Sequence, residues 1–172
     1  MAFTAARVTS LSDIDRDRLI NDSLEKINAG STFPFKEGLT DDQKKNTFKK
    51  WIKDYLTNGY AFGISKDGLL VSLFVGKIES SVFKSLYAFF GKDAGGSRAY
   101  LYDNDWHNTL KRFLQSQTSL FTNFENINIE NSPLAAYNQA VIDAGKYTLN
   151  IEENVKETTD GVTYDKRRTS YS

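Results

Sequence analysis

Few residues in this 172-residue sequence carry side chains suited to chemistry, and they are scattered. The single histidine, His107, follows Asp103 by four positions and Asp105 by two. On a helix, positions four apart share a face, so Asp103 could orient the imidazole as a general base. The plainer reading is a helix start with an aspartate cap and a polar histidine. Two sets of cations could hold an anion: Lys44, Lys45, Lys49, Lys50 and Lys53 in one stretch, and Lys166, Arg167 and Arg168 near the end. Asp41, Asp42 and Asp54 dilute the first set, which then reads as a solvated helix face. The second set could contact phosphates or RNA, or simply be solvated.

Composition removes several chemistries. There is no cysteine, hence no thiol nucleophile, disulfide framework or thiolate metal site, and one histidine is too few for a histidine-based zinc site. Lys+Arg and Asp+Glu both number 22, and this zero net charge argues against a protein that coats nucleic acid or an anionic membrane. The longest apolar runs, Leu69–Val71 and Leu73–Val75, are strand-sized, and the start of the chain shows no basic segment leading into an apolar one. The expectation is a soluble, cytoplasmic single domain covering residues 1–172. Aromatic residues make up 13% of the chain, so ring packing should fill much of its core.

The elements that must position these residues read as follows. Phe3–Thr9 is a short first strand. Ser12 and Asp15 form a capping box for a helix with Ile20, Leu24 and Ile27 on its apolar face, closed by Gly30. Thr40 and Gln43 open a second helix, with Phe48, Trp51, Ile52, Tyr55 and Leu56 as a full apolar stripe and Gly59 at its end. Tyr60–Ser65 and Leu69–Glu79 are strands joined at Lys66-Asp67-Gly68, an Asp-Gly hairpin signal. Lys84–Gly91 is a third antiparallel-compatible strand. Trp106, Leu110, Phe113 and Leu114 have helical spacing, while Arg98–Tyr102 fits either a strand or the start of that helix. Phe124–Glu130 alternates as a strand. Asn131-Ser132-Pro133 starts a helix with Leu134, Tyr137 and Val141 on its buried face, stopped by Gly145. Tyr147–Ile151 alternates as a strand, Thr158–Gly161 turns the chain, and Val162–Arg168 returns.

The resulting α/β (α+β) order, βααβββαβαββ, resembles the GNAT-type N-acetyltransferase fold from Phe3 to Arg168: a mixed, mostly antiparallel central sheet flanked by helices. The phrase G-Y-A-F-G-I-S-K-D-G-L-L-V at Gly59–Val71 is similar to that family's hairpin after the second helix. The stretch I-E-N-S-P-L-A-A-Y-N-Q-A-V-I-D-A-G-K-Y at Ile129–Tyr147 is similar to its late strand, Asn-started helix and Gly-aromatic exit.

The resemblance implies acetyl-CoA as co-substrate, lying where the fourth and fifth strands splay apart, and transfer of its acetyl group to a small-molecule or peptide primary amine. No metal, nucleic acid or membrane is implied. The pyrophosphate would sit on amides at the start of the following helix, where unpaired N–H groups and the helix dipole favour an anion. By position the loop is Lys92–Arg98 (K-D-A-G-G-S-R): Gly95, Gly96 and Ser97 would hold the pyrophosphate and Arg98 would neutralise it. The family's Arg/Gln-x-x-Gly-x-Gly/Ala spacing is not matched. If Arg98–Tyr102 is a strand, Gly95-Gly96 is a hairpin turn and the loop moves to Tyr102–His107, where Asp103 and Asp105 would repel phosphate. The family's general-acid tyrosine position is occupied by Val141. Tyr137, one helical turn earlier, would take its place and protonate the leaving thiolate. Glu79 and Glu130 end strands near the expected cleft, and each could accept the amine's proton. A fold kept as a binding or interaction domain without activity is the alternative reading.

Overall fold

The computed structural model describes residues 3–28, 39–91, 104–117, 119–121, 123–129, 155–159 and 162–169. In chain order these form β1 (Phe3–Arg7), α1 (Asp13–Asn28), α2 (Asp41–Asn58), β2 (Tyr60–Lys66), β3 (Leu69–Glu79), β4 (Val82–Phe90), α3 (Asn104–Ser116), β5 (Asn123–Ile129), β6 (Val155–Thr159) and β7 (Val162–Thr169). The seven strands make one sheet in the order β1-β2-β3-β4-β5-β7-β6. β4 and β5 are parallel, and every other neighbouring pair is antiparallel.

Local sequence explains where the elements begin and turn. At α2 the capping box is complete: the Thr40 hydroxyl accepts from the Gln43 N–H at 3.2 Å, and the Gln43 side chain accepts from the Thr40 N–H at 2.8 Å. Such a cap is worth about 1 kcal/mol over alanine. At α1 the Ser12 hydroxyl accepts from the Asp15 N–H at 3.1 Å. The β2–β3 hairpin turns on Asp67 and Gly68, with φ of 52° and 83°, the paired left-handed conformations of a two-residue type I′ turn. The β3–β4 hairpin makes the same demand of Ser80 and Ser81, at φ 50° and 61°, without a glycine. Each L-residue held there costs about 1–2 kcal/mol. Ser81→Gly is therefore expected to stabilise the fold by about 0.5–1 kcal/mol in urea denaturation, after the entropy of the more flexible unfolded chain is subtracted. An unchanged or lower midpoint would refute it.

The helices cover both faces of the sheet. On one face Leu19 and Ile20 of α1 and Phe48 and Ile52 of α2 pack against Ala61, Leu73, Val75 and Phe89. On the other, Trp106, Leu110, Phe113 and Leu114 of α3 pack against Phe62, Ile64, Phe74 and Phe83. Ring packing dominates the α3 side, where Phe62 stacks on Phe74 with centroids 4.7 Å apart and planes 11° apart. Two buried polar links cross this layer among the described residues: the Trp106 indole N–H donates to the Ser72 hydroxyl at 3.2 Å, and the Thr109 hydroxyl donates to the Phe3 carbonyl at 3.4 Å.

Several boundaries differ from the pattern read in the sequence. The third strand of the meander starts at Val82 rather than Lys84, because the two-residue turn at Ser80-Ser81 lets pairing resume at once, Glu79 opposite Val82. Thr158 and Thr159 belong to β6 and pair with Thr163 and Val162, where the sequence reading placed a turn. Lys166, Arg167 and Arg168 lie within β7, between β5 and β6, and are not a tail; Arg168 is registered opposite Glu125. Gly30, the Asn131–Gly145 helix and the Tyr147–Ile151 strand lie outside the described residues.

Candidate active site

The feature that interrupts the sheet lies along β4. The parallel β4–β5 ladder runs from Val82–Asn123 to Ser85–Asn126 and stops there, while β4 continues to Phe90 and β5 to Ile129. At the same point β4 holds one residue too many. Val75 pairs with Tyr87 and Gly76 with Ser85, leaving Leu86 unmatched on β3. A bulge of this kind bends its strand and increases the local twist. It also inverts the side-chain alternation: Phe83 packs on the α3 side, whereas Tyr87 and Phe89, separated from it by even numbers of residues, pack on the α1/α2 side. Gly76 makes the bulge possible, because a Cβ there would strike the Lys84 carbonyl and come within 3.0 Å of the Ser85 Cα.

Beyond the bulge, β4 is paired through β3 alone among the described residues. The Gly91 N–H donates to the Val71 carbonyl at 2.8 Å. By the alternation of an antiparallel ladder, the main-chain groups of Ala88 and Phe90 then point away from β3, toward the side where β5 has parted from β4. A strand edge of this type offers donors and acceptors at regular spacing to any extended ligand that carries amides.

The expected site residues distribute unevenly. Gly95, Gly96, Ser97 and Arg98 lie outside the described residues, as do Asp103 and Tyr137. They occupy the connection that leaves β4 and the segment that follows β5. Glu130 lies outside them too, immediately after Ile129 in the chain. Helix α3 starts at Asn104, with the exposed Asp105 in its first turn and His107 among its residues. Of the α2 lysines, Lys50 and Lys53 are exposed as expected of a solvated face, whereas Lys44, Lys45 and Lys49 are half-buried. Lys45 and Lys49 reach toward α1, where Asp17 is held below the usual carboxylate range, first by its hydrogen bond from Arg16 and, among smaller influences, by those two charges.

Glu79 corrects an expectation. It ends β3 beside the Ser80-Ser81 turn, at the end where β4 and β5 are still paired, and so away from their separation. Its oxygens meet the Lys77 ammonium at 2.8 Å and the Lys84 ammonium at 3.0 Å. Those two hydrogen bonds, and then the two charges, lower its pKa to about 2. A carboxylate so firmly ionised is a poor proton acceptor at neutral pH. Because the folded pKa is depressed from an ordinary value of 4.5, the pair contributes stability above that value and loses it as pH falls toward 2. The stability difference between the wild type and Glu79→Gln should therefore be present at neutral pH, shrink through that acid window and weaken in high salt. A difference that persists at pH 2 would refute the assignment.

Two residues near the separation had no signal in the reading of single elements. Ser85, buried, closes the β4–β5 ladder. Tyr87, half-buried, is the first side chain past the bulge. Gly76 in the middle of an apolar strand was the available cue, since strand-interior glycines often mark bulges.

This arrangement was compared with known proteins. No family model and no curated protein matches the sequence. Solved structures do match. The PaiA N-acetyltransferase from Thermoplasma acidophilum, in complex with coenzyme A, is 11% identical, with a TM-score of 0.58 over 97% of this chain and 99% of that one. A GNAT-family acetyltransferase from Bacillus cereus is 11% identical, with a TM-score of 0.57 over 100% and 99%. An N-acetyltransferase from Staphylococcus aureus is 11% identical, with a TM-score of 0.53 over 99% and 97%. The chain has the GNAT-type N-acetyltransferase fold. The mixed, mostly antiparallel sheet flanked by helices is that fold's architecture, as the element order led one to expect. Within the GNAT-type fold the β4–β5 separation described here is the candidate active site. Among the described residues no group of three or more His, Asp or Glu side chains could hold a metal ion, and no helix is long and apolar enough to cross a membrane.

Proposed function

We propose that the protein is an acyltransferase that moves the acetyl group of acetyl-CoA onto a primary amine. The observation that carries this reading is the parting of β4 from β5 at Ser85–Asn126, with the main-chain groups of Ala88 and Phe90 left facing the gap. Their alternating donors and acceptors suit the amides of a pantetheine arm. The relative from Thermoplasma acidophilum, in complex with coenzyme A, supports the same ligand class. Gly95, Gly96, Ser97 and Arg98, on the connection that leaves the open end of β4, are assigned to the pyrophosphate. Acetyl-CoA supplies an acyl carbon activated as a thioester. The neutral amine nitrogen bonds to that carbon, the carbon–sulfur bond breaks, Glu130 accepts the amine's proton and Tyr137 donates one to the departing thiolate. Neither a cysteine nor a histidine is required.

One observation favours a second reading, a GNAT-type fold kept as a binding domain without activity. Asp105 stands in the first turn of α3, where a phosphate would meet a negative charge. A thermal-shift titration separates the two. A ligand that binds only the folded state raises the melting temperature, by the equivalent of about 2.7 kcal/mol at a hundredfold excess over Kd. The acyltransferase reading expects such a rise with acetyl-CoA and with CoA, and its loss in Gly96→Asp. No shift at about 1 mM of either ligand would defeat it. A shift unchanged in Gly96→Asp would place the phosphate contact elsewhere.

A further inference from the structure

Among the described residues the buried polar side chains are Asp22, Ser23, Ser72, Ser85 and Thr109, and Ser85 is the one carried by β4. It stands in the last pair of the β4–β5 ladder, opposite Asn126, at the root of the separation. Two residues past Phe83 and ahead of the extra residue, its side chain shares the α3 side of the sheet with that ring. Its neighbour across the β3–β4 ladder is Gly76, which brings no side chain to cover it. The Ser72 hydroxyl accepts from the Trp106 indole and that of Thr109 donates to a main-chain carbonyl, whereas no described residue hydrogen-bonds the hydroxyl of Ser85. A buried hydroxyl opposes folding unless something completes it.

The length of the separation says which atoms of the co-substrate come to this root. From Gly91, where the connection to α3 leaves β4, back to Ser85 is about 20 Å of extended strand. A pantetheine arm has about thirteen bonds from phosphorus to sulfur, which span about 15 Å at the reach of an extended chain. With the pyrophosphate held just beyond Gly91, the sulfur lies level with the bulge and the acetyl group lies past it, toward Ser85.

We propose that the Ser85 hydroxyl donates a hydrogen bond to the carbonyl oxygen of the acetyl thioester and stabilises the charge that gathers there. This rests on the acyltransferase reading. As the neutral amine nitrogen bonds to the carbonyl carbon, the carbonyl π pair moves onto the oxygen, and the Ser85 O–H meets it. When the carbon–sulfur bond breaks, that pair re-forms the carbonyl and the sulfur leaves with the electrons of its bond. The amine's proton passes to Glu130 and the thiolate takes one from Tyr137, as proposed above, while Ser85 keeps its own. A donor fixed in a site without water acts most strongly on charge that develops in the transition state.

The test reads the bound thioester directly. The acetyl-CoA thermal shift is measured in the wild type and in Ser85→Ala, and the infrared band of an isotope-labelled acetyl carbonyl is then recorded free and bound. Binding to the wild type is expected to lower the carbonyl frequency, and Ser85→Ala to return it most of the way to the free value. Ser85→Cys, whose thiol is a weaker donor, should fall between them. Thiol release with hydroxylamine, a nucleophile small enough to need no acceptor pocket, should fall about a hundredfold in Ser85→Ala while the acetyl-CoA KM stays within about twofold. Without ligand, Ser85→Ala should melt at or above the wild-type temperature, since the hydroxyl it removes holds no other group in place. A bound band at the same frequency in the two proteins, or equal hydroxylamine turnover by both, overturns the assignment and leaves the co-substrate standing. If acetyl-CoA does not bind, both fall.

Discussion

Phe62→Ala is expected to lower the stability of the fold by about 4 kcal/mol, the upper part of the range for removing a buried ring. Phe62 is fully buried in the middle of β2, between the sheet and α3. Its ring lies 4.7 Å from Phe74, 4.8 Å from Phe113 and 5.4 Å from Phe83, so it joins three elements at one point. Deleting it forfeits the transfer energy of the ring and leaves a cavity whose walls are themselves aromatic. Rings bridging from strands to a helix cannot collapse into such a gap without moving backbone. In a chain of this size the loss should appear as a fall in melting temperature of about 8–16 °C. Leu120→Ala, at a side chain that is largely exposed, should stay within about 0.5 kcal/mol and serves as the control. A Phe62→Ala loss below about 1.5 kcal/mol would mean that the ring layer is not packed as described.

Gly76→Ala should cost about 3 kcal/mol, at the upper end of what overpacking exacts. The reason is the identity of the obstructing atoms. The new methyl would strike the Lys84 carbonyl, with the Lys84 carbonyl carbon at 2.9 Å and the Ser85 Cα at 3.0 Å, and all three are backbone. No rotamer change relieves such a contact, so β4 must move where the unmatched Leu86 sits and where its ladder with β5 ends. The same substitution therefore tests the site as well as the fold. The acetyl-CoA thermal shift should be lost in Gly76→Ala but retained in Phe62→Leu, a destabilised variant whose change lies in the core. A Gly76→Ala protein as stable as the wild type would show that the strands do not approach this closely.

Much of this fold was legible residue by residue because its signals are local. The Thr40–Gln43 box formed both of its hydrogen bonds. The Asp67-Gly68 turn took the two left-handed conformations its residue types favour. Phe48 and Ile52, on the stripe read at helical spacing, are buried against the sheet. The Ser80-Ser81 turn escaped notice because serine carries no such preference, and left-handed serines are forced by the strands on either side. Glu79 was misplaced for a related reason. A carboxylate at a strand end says nothing about which end of the sheet opens, and its two lysine partners lie two residues before it and five after, brought together by the hairpin.

The sequence by itself determined the Thr40–Gln43 cap, the Asp67-Gly68 turn and the apolar helix faces that are buried against the sheet. These depend on neighbours within a few positions, where sterics and hydrogen bonding act before any tertiary contact forms. The tertiary structure alone decided that β5 pairs with β4 in parallel for four residues and then parts from it. It also decided that an extra residue turns Tyr87 onto the face of α1 and α2. Both facts are relations between segments distant in the chain, set by how the sheet accommodates Gly76 and the bulge opposite it. A periodicity within one strand carries no record of the register of its partner.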